Sequence, residues 1–488
     1  MRTEIVRGPE GIEQAAHWIR QGWPVAFPTE TVYGLGANAF DETAVARIFA
    51  AKGRPADNPL IVHVLGADDL AWSRLVAEPV PKEAVALWER FWPGPLTLIL
   101  PARPEVPALV RAGLKTVAVR APSHPVARAL IAAAGVPLAA PSANRSGRPS
   151  PTTAEHVYED LAGRIPVIVD GGPTEAGVES TVVDVTRRPF LLLRPGATPR
   201  EAIEAVVGPL GQPDAASSRR SPGTRHRHYA PRAPVTWVAE DDLQVIRALL
   251  SQAAWSGRWG LLAPEAVVRA ISAPVAFSLG TDPWEAARRL YAGLRELDRA
   301  GVERILVVWS QRQGVGEAVA NRLAKAAGEG EGAATVAPLF LLFVCSGNTC
   351  RSPMAEALWN RLEGPLRAQS AGVAAVEGLP AAAEAVRAVA PWGADLSRHR
   401  SRPLEAVEGT PLWVLTMTRA QAEAVRRRRP EWADRVRLLT EMVGEDGEVA
   451  DPIGQGQAAY DILATQLVGW LERLRAQLVP AAEGKTEP

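Results

Sequence analysis

Leu339-Phe-Leu-Leu-Phe-Val-Cys-Ser-Gly-Asn-Thr-Cys-Arg-Ser-Pro353 carries both cysteines of the 488-residue chain, Cys345 and Cys350. The apolar run Leu339 to Val344 reads as a buried strand. Met354-Ala-Glu-Ala-Leu-Trp359 reads as a helix opened by Ser352 and by Pro353, a residue suited to a first helical turn. A strand, a loop with Cys345 and Arg351 six positions apart, then a helix is a phosphate cradle with a thiol at its floor. Backbone N–H groups and the helix N-terminus hold an oxyanion there and favour the thiolate form of Cys345. Arg351 can grip two equatorial oxygens as charge shifts in the transition state. Cys350 is a candidate redox partner of Cys345, or simply a small packed side chain.

Outward from this stretch, the length predicts about three domains. Hydrophobic residues make up 47% of the chain, charged residues 22%, and the formal net charge is zero. That balance is ordinary for a folded soluble protein and argues against a global affinity for nucleic acid or a membrane surface. Met1-Arg-Thr-Glu-Ile lacks the apolar core of a secretory signal, and no apolar run reaches membrane-spanning length. With two cysteines there is no disulfide framework, and an activated thiol persists best in a reducing compartment. The expectation is a cytoplasmic protein with no membrane association.

Two stretches read as joints. Gly211 to Arg232 is rich in Ser, Pro, Gly and Arg, and Ala326 to Thr335 is a Gly/Ala/Glu tether. The expected division is an α/β domain over 1–208, a basic linker over 209–232 and a smaller α/β unit over 233–326. A tether over 327–338, a doubly wound domain over 339–480 and a disordered tail over 481–488 follow. Strands are expected at 24–27, 96–100, 116–120, 167–169 and 181–185 in the first domain, and at 235–238, 259–262, 275–277 and 304–309 in the second. A further one is expected at 412–415 in the last.

The first domain gathers polar clusters at strand ends: Pro28 to Gly36, Lys52 to Leu60 with His63 beyond, Pro141 to Ser150, Gly177 to Thr181, and Arg194-Pro-Gly196. Singly each suits a turn. Together they supply cations and hydroxyls for a polyphosphate with no nucleophile, a site that works by positioning and charge stabilisation.

These motifs, with Ser221 to Pro231 and Gly314 to Ala327, resemble the threonylcarbamoyl-AMP synthase family over about residues 5 to 325. The resemblance is to its long form, a YrdC-like α/β domain followed by a small Rossmann-like α/β domain. It implies that L-threonine and bicarbonate or CO2 form a carbamate that attacks the α-phosphorus of ATP and expels pyrophosphate. It further implies that Thr31, His63, Arg120, Ser142 and Ser180 hold threonine. Lys52, Arg54, Asn58, Thr116, Asn144, Ser150 or Thr152, and Arg194 would serve ATP. Mg2+ would arrive with the triphosphate and no protein-ligated metal is expected. The product would pass to the tRNA-modifying machinery that makes threonylcarbamoyladenosine. Between Asp214 and Glu240 the linker has no acidic residue and carries Arg219, Arg220, Arg225, Arg227 and Arg232. In the family it folds over the nucleotide, with His228 and Tyr229 as candidates for closing the site. Direct tRNA binding by a non-enzymatic module is the competing reading.

The last segment, with Ser370-Ala-Gly372, Asp395 to Pro403, Thr416 to Arg419 and Asp451-Pro452, resembles the low-molecular-weight protein phosphatases, on a doubly wound parallel sheet. The resemblance makes Cys345 the nucleophile, Arg351 the transition-state ligand, Ser352 a hydrogen-bond partner of the thiolate and Asp451 the general acid. Asp451-Pro-Ile-Gly-Gln-Gly-Gln457 lacks the aromatic side chains that wall a phosphotyrosine pocket, and Ser346 is small and hydroxylic. Both features resemble the protein-arginine phosphatase branch, where threonine follows the nucleophile. Phosphoarginine is therefore preferred, with phosphotyrosine as the alternative. Arsenate reduction needs further cysteines that the chain lacks.

Overall fold

The computed structural model describes residues 1–68, 71–214, 217, 220–221, 229–239, 243–250, 257–328, 340–362, 366–409 and 411–478. His228, most of the 327–338 tether and the 481–488 tail lie outside these residues. The chain forms two compact units, Met1–Trp237 with Arg258–Ala333, and Val238–Gly257 with Ala334–Pro488. No described helix is long and apolar enough to cross a membrane.

The first unit is built on a ten-stranded mixed sheet. Its strands are β1 (Glu4–Val6), β2 (Val25–Phe27), β3 (Gly34–Asn38), β4 (Ile61–His63), β5 (Leu96–Pro101), β6 (Thr116–Arg120), β7 (Leu138–Ala139), β8 (Val167–Val169), β9 (Thr181–Asp184) and β10 (Leu191–Arg194). They lie in the order β1-β8-β2-β3-β7-β4-β6-β5-β9-β10. One face packs Leu35, Val62, Leu98, Val119 and Val183 into the main core. On another face Ala15, Ile19, Leu130 and Ile131, from the helices Gly8–Arg20 and Pro125–Ala134, cover Val25, Phe27, Val167 and Val169.

Register sets the position of the site. Parallel β4 and β6 bring His63 opposite Arg120 at their C-terminal ends. β5 runs antiparallel to β6 and parallel to β9, with Leu96 opposite Thr181. β10 returns antiparallel to β9 with Arg194 opposite Val182. His63, Arg120, Ser180 and Arg194 thus meet at one end of the sheet.

The same unit holds a four-stranded sheet of β11 (Val235–Val238), β12 (Trp259–Ala263), β13 (Val275–Ser278) and β14 (Arg304–Val308), ordered β11-β14-β12-β13. Asp282 caps the helix Pro283–Arg299 by accepting from the N–H groups of Trp284 and Glu285, with proline at the first helical position. This helix and Val315–Ala327 both face the larger sheet's polar end, as the contacts below show.

The second unit carries the parallel sheet β16-β15-β17-β18, from β15 (Phe340–Cys345), β16 (Arg367–Gly372), β17 (Trp413–Thr416) and β18 (Val436–Leu438). All six residues of β15 are buried, as a central parallel strand covered on both faces requires. Phe340, Leu342 and Val344 pack with Val414, Val425, Trp432 and Val436. The chain leaves β15 for β16 on one side and later returns to β17 on the other. The loop after β15 therefore opens at a topological switch point, where doubly wound sheets bind ligands.

Candidate active sites

A cleft opens at the polar end of the ten-stranded sheet. Thr31, Arg54, His63, Arg120, Ser142, Asn144, Ser180, Arg194 and Tyr229 line it, so nine of the expected side chains are brought together. Arg120 is buried and donates from Nη1 to Thr31 Oγ1 at 2.9 Å and from Nε to the Gly94 carbonyl at 3.3 Å. Its Nη2 lies 2.7 Å from Glu30 Oε1. Burial opposes charge on Glu30, but Arg120 outweighs it and holds the carboxyl below its ordinary value. His63 is pushed down to about 3 by burial and then by Arg120, so its ring is neutral at physiological pH.

Across the cleft, Lys52 donates from Nζ to the carbonyls of Ser142 and Asn144, both at 2.5 Å, and steadies their loop from behind. Burial, then Arg54, lowers Lys52 well below the usual lysine value. Ser142 Oγ donates to Asn144 Oδ1 at 2.6 Å. Arg54 donates to the carbonyls of Asn58 and Pro59, and burial lowers it to about 10, leaving it cationic at neutral pH. Arg194 donates from Nη2 to the Ser180 carbonyl at 2.9 Å and to Ser180 Oγ at 3.2 Å. Thr97 Oγ1 lies 2.8 Å from the same hydroxyl. Tyr229, at φ 62°, is buried with its ring centre 5.4 Å from that of Tyr291.

Four more expected residues, like Lys52, stand behind or beyond the cleft wall. Asn58 is buried in the Arg54 loop. Ser150 Oγ donates to Glu179 at 2.6 Å, and Thr152 bonds His156 Nδ1. Thr116 is not brought to the cleft: it opens β6 opposite Pro101, roughly 13 Å of extended strand from Arg120. Arg220, from the basic linker, donates to buried Asp184 at 2.9 Å and to Thr186, which makes it a tie along the first unit rather than a free surface cation.

Sequence reasoning passed over the two carboxylates. Glu179 lines the cleft and accepts from Ser150, from Tyr291 and from Arg322 Nε at 2.7 Å. Although burial pushes Glu179 up, Arg322 and Arg194 hold it at about 2. Glu30 and Glu179 sit in the Thr-Glu-Thr and Glu-Ser-Thr clusters, but their partners lie far along the chain. Among the described residues at the cleft, Arg120, Arg194 and Arg322 are buried guanidiniums and Arg54 is a half-buried one, against these two carboxylates. Such an excess of buried positive charge suits an anionic ligand.

The second site forms where β15 ends. The following helix, Arg351–Arg361, begins one residue before the expected opening at Ser352 and Pro353, with Cys350 at its N-cap and no side-chain capping bond. Its first N–H groups are thereby left to face an anion. Cys345 is buried, with Sγ 3.0 Å from Ser352 Oγ and accepting from the Asn348 N–H at 3.3 Å. Asn348, at φ 54°, braces the loop: its Nδ2 donates to Ser352 Oγ and Ser370 Oγ, and its Oδ1 accepts from the Arg402 N–H. His399 Nε2 lies 2.7 Å from the Asn348 carbonyl. The motifs around Ser370 and His399 therefore hold the cradle's shape.

Arg351 is buried, donates to the Val449 carbonyl, and lies 2.5 Å from Asp451 Oδ2. Its Nε is buried without a hydrogen-bond partner, an orphaned donor of the kind an oxyanion satisfies. Asp451 is half exposed at the loop edge. Ser346 is exposed beside the nucleophile, and its Oγ accepts from Gln421 Nε2 at 3.1 Å. Beyond Asp451, Ile453 is 60% exposed, whereas Tyr460 is buried within electrostatic reach of Cys350 and Asp451. Burial, then Cys345, pushes the Cys350 thiol up to about 11.

The two sites define a chain with two separate devices for phosphate chemistry, one without a nucleophile and one built on a thiol. A family model described as "Telomere recombination" matches residues 17–196, and one for the C-terminal domain of threonylcarbamoyl-AMP synthase matches 198–328. The model for low-molecular-weight phosphotyrosine protein phosphatases matches 340–481. A threonylcarbamoyl-AMP synthase from Pyrococcus abyssi is 48% identical over 336 residues, 67% of this chain and 98% of that protein. One from Bacillus subtilis is 48% identical over 333 residues, 67% of this chain and 95% of that protein. The crystal structure of P. abyssi Sua5 complexed with L-threonine is 46% identical, covers 67% of this chain and 98% of that one, and superposes with a TM-score of 0.63. The chain belongs to the threonylcarbamoyl-AMP synthase family and carries a low-molecular-weight phosphatase domain.

Proposed function

We propose that the chain is a bifunctional enzyme, an L-threonylcarbamoyladenylate synthase joined to a cysteine-dependent protein phosphatase. For the first activity the carrying observation is the convergence of Thr31, His63, Arg120 and Ser180 with Arg54 and Arg194 in one cleft. L-threonine is the ligand of the P. abyssi structure, which supports the same substrate here. Arg120 and the hydroxyls of Thr31 and Ser180 orient threonine. Its amine condenses with bicarbonate, releasing water, and a carbamate oxygen attacks the α-phosphorus of ATP. The P–O bond to pyrophosphate breaks as Arg54 and Arg194 balance the charge on the phosphates. Asn144 and Tyr229 complete the nucleotide side. Glu30 and Glu179 are engaged by arginines, so the donor set fits Mg2+ held by phosphate oxygens and water rather than by protein carboxylates. The product would feed the machinery that makes threonylcarbamoyladenosine in tRNA. Pyrophosphate release that requires threonine, bicarbonate and ATP together tests this. RNA binding without such release would establish the competing RNA-binding module.

For the second activity the carrying observation is Cys345 in contact with Ser352, on a loop that ends at Arg351 with its buried, orphaned Nε. The Cys345 thiolate attacks phosphorus, Asp451 protonates the departing atom, and water then cleaves the thiophosphate with Asp451 as base. Phosphoarginine in proteins is the preferred substrate. Ser346 offers a hydroxyl, held by Gln421, to a polar guanidino group, and the segment after Asp451 supplies no aromatic side chain before Tyr460 to stack on a phenol. Comparing phosphoarginine and phosphotyrosine peptides, with Cys345→Ser as the blank, decides it. Faster turnover of phosphotyrosine rejects the preference.

A further inference from the structure

We infer that Arg322 and Tyr291, from the helices of the small α/β lobe, are positioning residues for the synthase cleft and act through Glu179. This rests on the synthase reading of that cleft. The segment Gly177–Thr181 carries Ser180 into the cleft and is held from two sides by that lobe. At Gly177, φ 72°, a Cβ would lie 2.3 Å from the Arg288 Cα, so this backbone sits directly on the helix Pro283–Arg299. One turn along that helix, the Tyr291 hydroxyl donates to Glu179 at 2.9 Å. From the helix Val315–Ala327, Arg322 Nε donates to Glu179 Oε2 at 2.7 Å and its Nη1 to the Pro195 carbonyl at 2.8 Å.

Arg322 therefore clamps two strands of chain at once, the one before Ser180 and the one after Arg194. These cross without room for a side chain: a Cβ on Gly196 would fall 2.3 Å from the Ser180 carbonyl carbon. Moving either segment moves the other. Ser180 stands on the threonine side and Arg194 on the ATP side, so one clamp sets both. Arg322 also lies over the Tyr229 ring at 5.5 Å, and Tyr229 lines the same cleft. The stretch Gly314 to Ala327, distinctive in sequence yet supplying none of the expected substrate contacts, gains a role through its one buried arginine. Arg322 is 1% exposed, and the depressed Glu179 carboxyl is consistent with a fixed pair.

A structural ion pair would predict lower stability with unchanged substrate affinity in the molecules still folded. Positioning predicts that the Michaelis constants for threonine and ATP rise together. Arg322→Lys keeps the charge but cannot reach Glu179 and Pro195 as a fork, and Tyr291→Phe keeps the ring while removing the hydroxyl. In the full chain at 25 °C, each is expected to raise both constants about fivefold or more, with a smaller fall in kcat. The melting profile reports folding, and calorimetric titration of threonine gives affinity without turnover. Folded variants with both constants and the threonine affinity within about twofold of wild type would overturn the inference. A wild-type chain that neither binds threonine nor releases pyrophosphate removes the synthase reading, and the inference falls with it.

Discussion

Gln421 donates its Nε2–H to Ser346 Oγ at 3.1 Å while its Oε1 accepts from the N–H groups of Met417 and Thr418 at 3.0 and 3.1 Å. Two backbone donors fix the amide's orientation, so its NH2 must face Ser346. The Ser346 oxygen keeps a second lone pair and its own proton for a substrate. Ser346→Val removes both and leaves an aliphatic group over the pocket. The expected outcome is a fall of about tenfold or more in kcat/KM for phosphoarginine relative to phosphotyrosine peptides. Ser346→Thr should preserve the ratio. An unchanged ratio in the valine variant would show that Ser346 does not read the leaving group.

Much of this cradle was legible because its parts are local. The apolar run before Cys345, the six-residue spacing to Arg351 and the helix beyond lie within one stretch of chain. The helix starts at Arg351, one residue before Ser352, and Pro353 stands in its first turn as proline geometry allows. β16 escapes because Arg367, Gln369 and Ser370 break its apolar pattern, although Ala368 and Ser370 to Gly372 are buried where the strand pairs with β15. In the cleft, polar residues after strands could be collected by eye. Their partners could not: Glu179 meets Arg322 across 143 residues, and no local pattern marks such a pair. Thr116, which the resemblance gives to ATP, shares a strand with Arg120, but strand direction places the two at opposite ends of β6.

The leaving group decides how much Asp451 matters. Asp451→Asn keeps a polar contact with Arg351 but has no proton to give. For a guanidino or peptide phenol leaving group the rate should fall about 10²- to 10⁴-fold. For p-nitrophenyl phosphate, whose leaving group departs as an anion, the fall should be much smaller. Equal losses on both substrates would mean that Asp451 serves only to orient Arg351.

Acid should weaken the first unit beginning well above the carboxylate range. His156 is lowered from 6.5 to about 3 by burial, then by Arg295 and Arg299, and its Nδ1 accepts from the Thr152 N–H. His63 is likewise near 3. The unfolded chain takes up these protons near 6.5 and the folded one refuses them until about 3, so stability is lost as pH falls through that window. Glu179, at about 2 against 4.5, adds its loss only below 4.5. His156→Gln keeps an acceptor that does not titrate. Its melting temperature should fall less than that of wild type between pH 7 and pH 4, by at least about 4 °C. Parallel curves would place the acid sensitivity elsewhere.

Oxidation gives the second cysteine a test. Cys350 is held near 11 first by burial and then by Cys345, so it is a neutral thiol while the nucleophile is reduced. Peroxide converts the Cys345 thiolate to a sulfenic acid with loss of hydroxide, and the second of those two influences on Cys350 then disappears. Attack by Cys350 sulfur forms a disulfide and releases water. The wild-type phosphatase should lose activity in hydrogen peroxide and regain most of it in dithiothreitol, with the oxidised form lighter by two hydrogens. Cys350→Ser should instead progress to the sulfinic acid and stay inactive after the same reductant. Equal recovery in both proteins would leave Cys350 as a packed side chain of the helix start. The synthase activity, which uses no cysteine, should be unaffected by either treatment.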